Sequence, residues 1–293
     1  TKSPDRVIFD DTDLDLTVSG NAVKAYALSS INVRLDYSNV ENISDRESNV
    51  YTEKYQYNSN GLLKKSISDA DPEKWGDQLC GIEQFAYTGS KVREMLINSG
   101  ASVPERYVYA YEGGKLKSST HTYPTLEDEE PFRQYYKVNS MGRVESRSYT
   151  ITSLGETEEI RSDYQYTNEG YLKKTASYDN SNTPGSETNY SYDVQGNAEK
   201  YVHTGLLSPM SSQIKTITNT AVNSYTNGRL SRTLITNYYG LKTEITLSYK
   251  EISIPEEYYN AFNAQQHDMI FRYVYQHITN SGEDYDMPLG LVG

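Results

Sequence analysis

The sequence predicts an all-β fold: an antiparallel meander of roughly 14–16 strands, closed or nearly closed into a barrel and followed by a C-terminal helical segment. An open single-layer sheet is the alternative, and its exposed edges are its weakness. Three observations carry the prediction: a recurring strand–turn–strand unit, an excess of tyrosine over other aromatic residues, and a change of pattern after Tyr249.

The unit is clearest in Tyr55-Gln-Tyr57-Asn-Ser-Asn-Gly61-Leu-Leu63-Lys-Lys65. It returns as Tyr164-Gln-Tyr166-Thr-Asn-Glu-Gly170-Tyr-Leu172-Lys-Lys174. Aromatic residues two apart share one face of a strand. Four units place an aromatic or apolar residue four positions before the glycine: Tyr57/Gly61, Val138/Gly142, Tyr166/Gly170 and Tyr192/Gly196. One glycine at that fixed offset predicts a left-handed residue closing a bulged hairpin. Three units are shorter: Tyr87-Thr-Gly89, Tyr111-Glu-Gly113 and Tyr225-Thr-Asn227-Gly228. The Asn-Gly pair favours a type I′ turn because both central residues need positive φ. The first apolar position after each turn runs 63, 92, 116, 144, 172, 198 and 230. Seven hairpins at so even a spacing indicate an array or a closed sheet.

Tyrosine numbers 29 against 5 Phe and 1 Trp. A ring with a wet hydroxyl suits half-buried surfaces. With hydrophobic residues at 36%, a thick two-sheet core is hard to fill. A barrel of this size encloses more space than ordinary side chains occupy. Water, inward tyrosines or the C-terminal segment must therefore fill it.

One domain is expected over 1–293, with N-terminal strands in 1–50, seven hairpin repeats in 51–250 and a helix and tail in 251–293. Within 1–50, Ile31-Asn-Val33-Arg-Leu35-Asp-Tyr37 alternates as a half-buried strand does. Asp11, Asp13 and Asp15 share a strand face; the Gly and Glu of a calcium loop are missing at positions 16 and 22. Pro255-Glu-Glu257 reads as a helix start, with the helix over at least 256–266. Tyr258, Phe262, Met269, Ile270, Tyr273, Val274 and His277 fit one helical face, while Met269, Phe271, Tyr273 and Tyr275 also fit a strand.

Composition narrows the function. A net charge of -12 provides no basic stripe for phosphates, so no nucleic-acid partner is expected. Strands such as Leu63-Lys-Lys-Ser-Ile67-Ser and Arg143-Val-Glu-Ser-Arg-Ser148 have no face suited to hydrocarbon. Each Lys or Arg at mid-bilayer costs roughly 2–4 kcal/mol, so no integral membrane span is expected. Cys80 stands alone, and His121, His203, His267 and His277 form no metal-binding spacing. No metal, no cofactor and no catalytic residue is expected.

Tyr190-Ser-Tyr192-Asp193-Val-Gln-Gly196-Asn197 resembles the YD repeat of RHS-type proteins and bacterial toxin shells. The Tyr-rich hairpins, the stretch Pro255 to Ile278 and the ending Gly282 to Pro288 together resemble secreted lipoproteins of gut Bacteroides. That family has no known function and a porin-like barrel fold. The resemblance covers about 50–290. It implies an extracytoplasmic location, periplasmic or cell-surface, a lipid anchor on a preceding segment, and no catalytic residues to carry over.

The expected function is a non-catalytic binding or adhesion module, with a glycan or another surface protein as partner. The alternatives are an assembly protein that binds through its sheet and a hydrolase with its site at the barrel mouth. Connections opposite the glycine turns vary in length, and irregular loops carry function more often than scaffolds do. Trp75, Tyr123, Tyr238 and Tyr239, aromatic residues outside the repeat register, are the candidate ligand contacts.

Overall fold

The computed structural model describes residues 21–38, 40, 49–69, 81–99, 103–126, 130–153, 156–179, 183–206, 214–275 and 287–293. Sixteen strands run in order: β1 (Ala22–Asp36), β2 (Asn49–Tyr57), β3 (Leu63–Asp69), β4 (Gly81–Thr88), β5 (Lys91–Ser99), β6 (Glu105–Glu112), β7 (Lys115–Thr122) and β8 (Phe132–Val138). They continue as β9 (Val144–Ser153), β10 (Glu156–Tyr166), β11 (Leu172–Asp179), β12 (Ser186–Tyr192), β13 (Ala198–Leu206), β14 (Ile214–Thr226), β15 (Arg229–Thr236) and β16 (Lys242–Pro255). Each pairs antiparallel with its neighbour, and β1 pairs with both β2 and β16, so the meander closes into a barrel. Closure removes the edges that made the open sheet unattractive.

The turns follow the sequence chemistry. Gly61, Gly142, Gly170 and Gly196 all have positive φ, as do Asn227 and Gly228 together. In the longer turns a side-chain oxygen at the first position receives backbone amides two and four residues on. Asn58 Oδ1 accepts from Asn60 and Leu62, Asn139 Oδ1 from Met141 and Arg143, and Asp193 Oδ1 from Gln195 and Asn197. The turn needs an oxygen rather than a charge. Asn58, Asn139 and Asp193 supply it alike.

Asn237-Tyr-Tyr-Gly240-Leu241 joins β15 to β16 by the same scheme, with Asn237 Oδ1 accepting from Tyr239 and Leu241. Tyr238 and Tyr239 are therefore not outside the turn chemistry, as the sequence suggested. They occupy the middle of an eighth tight turn, masked in the sequence by Thr236 where its equivalents carry Tyr or Val.

Tyrosine register stitches neighbouring strands at the glycine-turn rim. Tyr57 donates its hydroxyl to the Leu28 carbonyl at 2.6 Å, and Tyr87 to Leu63 at 2.6 Å. Tyr111 donates to Val92 at 2.9 Å, Tyr166 to Val144 at 2.7 Å and Tyr192 to Leu172 at 2.5 Å. Burial raises the pKa of Tyr57, Tyr87, Tyr111 and Tyr192 far above the usual 10, which keeps these hydroxyls protonated donors.

The lumen is filled from the same rim. A 3₁₀ turn (Glu256–Tyr258) leads into helix α1 (Tyr259–Met269) and a π-helical segment (Ile270–Val274). The helix starts three residues after the predicted 256 and runs past the predicted 266. Phe262, Met269, Tyr273, Val274 and Tyr275 are buried with the inward wall residues Tyr55, Phe85 and Met95 in one core. Outward positions carry exposed Lys54, Arg93, Lys117, Arg133, Lys137, Glu145 and Lys173.

Candidate functional site

A cleft of about 400 Å³ opens where the plug meets the glycine-turn rim. Asn263, Ala264 and His267 of α1 form one wall, and Met141 and Arg143 of the β8–β9 turn a second. The β10–β11 turn contributes Asn168, Glu169, Gly170 and Tyr171, and Leu291 of the tail completes the lining.

Buried polar contacts fix this geometry. Arg143 Nη1 donates to Asp268 Oδ2 at 2.6 Å and to the Gly290 carbonyl at 3.3 Å, while the Gly290 amide donates to the same carboxylate oxygen at 2.7 Å. Burial pushes the Asp268 carboxyl up, yet Arg143, His267 and the Gly290 amide together hold it below the usual range. One ion pair thus ties turn, helix and tail together. The His267 ring stacks on Tyr171 with centroids 4.2 Å apart and planes 13° apart. Its Nε2 lies 3.1 Å from the Gly196 carbonyl, which only accepts, so Nε2 carries a proton. Gly196 must be glycine: its φ is +82°, and a Cβ there would come within 2.6 Å of the Tyr171 ring.

The lining offers the Asn168 and Asn263 amides, the Glu169 carboxylate, an aromatic ring and the apolar Met141, Ala264 and Leu291. Glu169 is fully exposed, and its own backbone amide and the Thr167 hydroxyl hold it below the usual carboxylate range. This is equipment for orienting a small polar ligand. Among the described residues no group of three His, Cys, Asp or Glu is placed to hold a metal, and no helix is long and apolar enough to cross a membrane.

The sequence-derived candidates that the structure describes, Tyr123, Tyr238 and Tyr239, sit elsewhere and do not converge. Trp75 lies outside the described residues, as do Asp11, Asp13, Asp15, Cys80 and His277. Tyr123 follows β7 at the rim opposite the cleft, where its ring packs 4.7 Å from that of His121. His121 stacks on Tyr107 at 4.3 Å and approaches the Glu105 carboxylate at 3.1 Å. Tyr238 and Tyr239, 50% and 57% exposed, meet edge to face at 5.2 Å on the β15–β16 turn. That turn is eight strands around the barrel from β7–β8. Sequence reasoning missed the cleft because its walls come from 141–143, 168–171, 263–267 and 291.

No protein-family model matches the chain, and no curated protein matches it in sequence. Solved structures do. A porin-like protein from Bacteroides vulgatus is 14% identical over 76% of this chain and 98% of its own, with a TM-score of 0.34. A porin-like protein from Bacteroides uniformis is 12% identical over the same shares, with a TM-score of 0.33. TcdB2-TccC3 is 12% identical over 74% of this chain, with a TM-score of 0.36, and this chain spans only 11% of that one.

Proposed function

We propose that the protein is a non-catalytic, extracytoplasmic binding module whose cleft at the plugged rim takes a short glycan segment. The observation that carries this reading is the cleft itself: about 400 Å³, lined by two amides, a carboxylate and an aromatic ring. That volume falls in the usual range for small-ligand sites. The resemblance of the hairpin repeats to secreted lipoproteins supports the location. Glu169 is the one carboxylate among the lining residues, which leaves a hydrolase without the acid pair that glycoside hydrolysis needs. The whole chain acts as one domain in this reading.

A second reading places the ligand on Tyr238 and Tyr239 at the opposite rim. The exposed, edge-to-face tyrosine pair favours it. Thermal unfolding against a panel of oligosaccharides tests both. Ligand at 100 times Kd stabilises by about 2.7 kcal/mol, which should raise Tm by roughly 5 °C. A shift abolished by Asn263→Ala supports the cleft, and one abolished by Tyr239→Ala supports the tyrosine pair. No shift with any glycan overturns the glycan assignment.

A further inference from the structure

The barrel wall is stepped at the rim opposite the plug. β14 begins at Ile214, but its pairing with β15 begins only at Thr220, opposite Thr236. From Ile214 to Asn219 it pairs with β13 alone, because the Asn237–Leu241 turn has already reversed the chain. Among the described residues this leaves the five residues Ile214–Thr218 with no strand on their other side, since Asn219 is buried under the Tyr238 amide. At about 3.3 Å per residue the open seam is about 16 Å long.

Edges of this kind are normally blunted by charge, proline or a bulge. The contrast within this barrel is informative. β10 also runs ahead of its partner β11, over Glu156–Glu159, and that stretch carries Glu156, Glu158 and Glu159. The β14 stretch reads Ile-Lys-Thr-Ile-Thr-Asn: no proline, no register shift and one charge, Lys215. Ile214 is 69% exposed, and the exposed Tyr238 and Tyr239 sit where the step begins, with the Tyr238 amide bound to Asn219 Oδ1 at 2.6 Å.

We propose that the Ile214–Thr218 edge is a docking site for an extended segment of another protein, added as an extra strand beside β14. Main-chain hydrogen bonds supply the affinity, and alternate side chains resting on Tyr238 and Tyr239 supply selectivity. A second copy of this chain is a poor occupant. A contact one strand wide along this seam buries less than the roughly 1,200 Å² that a stable dimer needs, and each chain carries a net charge of -12. Lys215 instead suits a partner strand with an acidic residue opposite it.

Hydrogen–deuterium exchange of the whole chain tests the proposal, with the synthetic peptide acetyl-Val-Thr-Val-Glu-Val-Thr-Val-amide as probe. Two control peptides are N-methylated on alternate residues, in the two possible phases. The expected result is that those amides within 214–218 that point away from β13 exchange at least about tenfold more slowly with the peptide, and that one N-methylated phase has no effect. Thr216→Lys, at an exposed position, should weaken peptide binding about tenfold while the melting curve is kept. The proposal is overturned if these amides are already protected in the free protein, if the peptide protects other strands instead, or if both N-methylated peptides act like the parent.

Discussion

Glu53 offers the sharpest test of how the plugged lumen is built. Its side chain is buried beside Tyr55, whose hydroxyl donates to it at 2.9 Å. Two strands along the same wall, Glu83 accepts from Arg272 at 3.0 Å and from the Tyr273 hydroxyl. Burial pushes the Glu53 carboxyl up from an ordinary 4.5 to about 7; the Tyr55 hydrogen bond and Arg272 pull it down, and Glu83 adds to the rise. A raised carboxyl means that the folded protein holds its proton more tightly than the unfolded chain does. Its contribution is therefore complete below about pH 4.5, is lost as pH rises toward 7, and stays lost above. The interval corresponds to about 3 kcal/mol. Glu53→Gln keeps the shape and the acceptor for Tyr55 but never ionises. At pH 8 the variant should be more stable than the parent by up to about 3 kcal/mol, a rise of about 6 °C in Tm for a chain of this size. At pH 4 the two should melt together. Urea and thermal unfolding at both values decide it. If parent and variant show the same pH dependence between 4 and 8, Glu53 is not buried and charged as described, and the plug does not seal that region.

Gly196→Ala should cost about 1–3 kcal/mol from its positive φ, and should dislodge Tyr171 from His267. Any glycan-induced thermal shift should vanish with it. Arg143→Met leaves Asp268 without its cation and should destabilise by about 3 kcal/mol at pH 7. Because the Asp268 carboxyl is depressed in the fold, its contribution is present above the usual carboxylate range and is lost as pH falls, so the deficit should narrow in acid unfolding. Tyr192→Phe removes one rim hydrogen bond and should cost about 1 kcal/mol by urea denaturation, with no change at the opposite rim by hydrogen exchange.

The repeat was legible because turn chemistry is local. A glycine at fixed offset and a tyrosine in register dictate a hairpin wherever they occur, and closure follows from repeating it. The plug was half legible. Met269 and Tyr273 satisfied a helical period, and Phe271 and Tyr275 a strand period, because a segment enclosed by a barrel is apolar on every face. Tyr273 packs on Tyr55 at 5.3 Å, while Phe271 packs on Tyr190 at 5.2 Å. The π-helical turn further blurs the spacing. The cleft was not legible at all, since no local pattern links the 141–143 and 168–171 turns to a helix more than ninety residues on.

The rim tyrosines also explain where the tail ends up. Five strands carry, at their last or next-to-last position, a tyrosine whose hydroxyl bonds back to the preceding strand, but β8 ends in Val138. No hydroxyl can reach back to β7 from there. The tail occupies that place: the Leu116 amide donates to the Val292 carbonyl at 2.8 Å, and the Val292 amide donates to the Gly142 carbonyl at 2.9 Å. A Cβ on Gly293 would come within 2.9 Å of the Val138 side chain, so the fit is already close with valine. Tyrosine at 138 would fill the slot with its own ring and expel the tail. With the tail would go Leu291 from the cleft and the Gly290 amide from Asp268. One departure from the repeat, Val for Tyr, thus admits the segment that completes the only wall of the cleft not built from turn or helix.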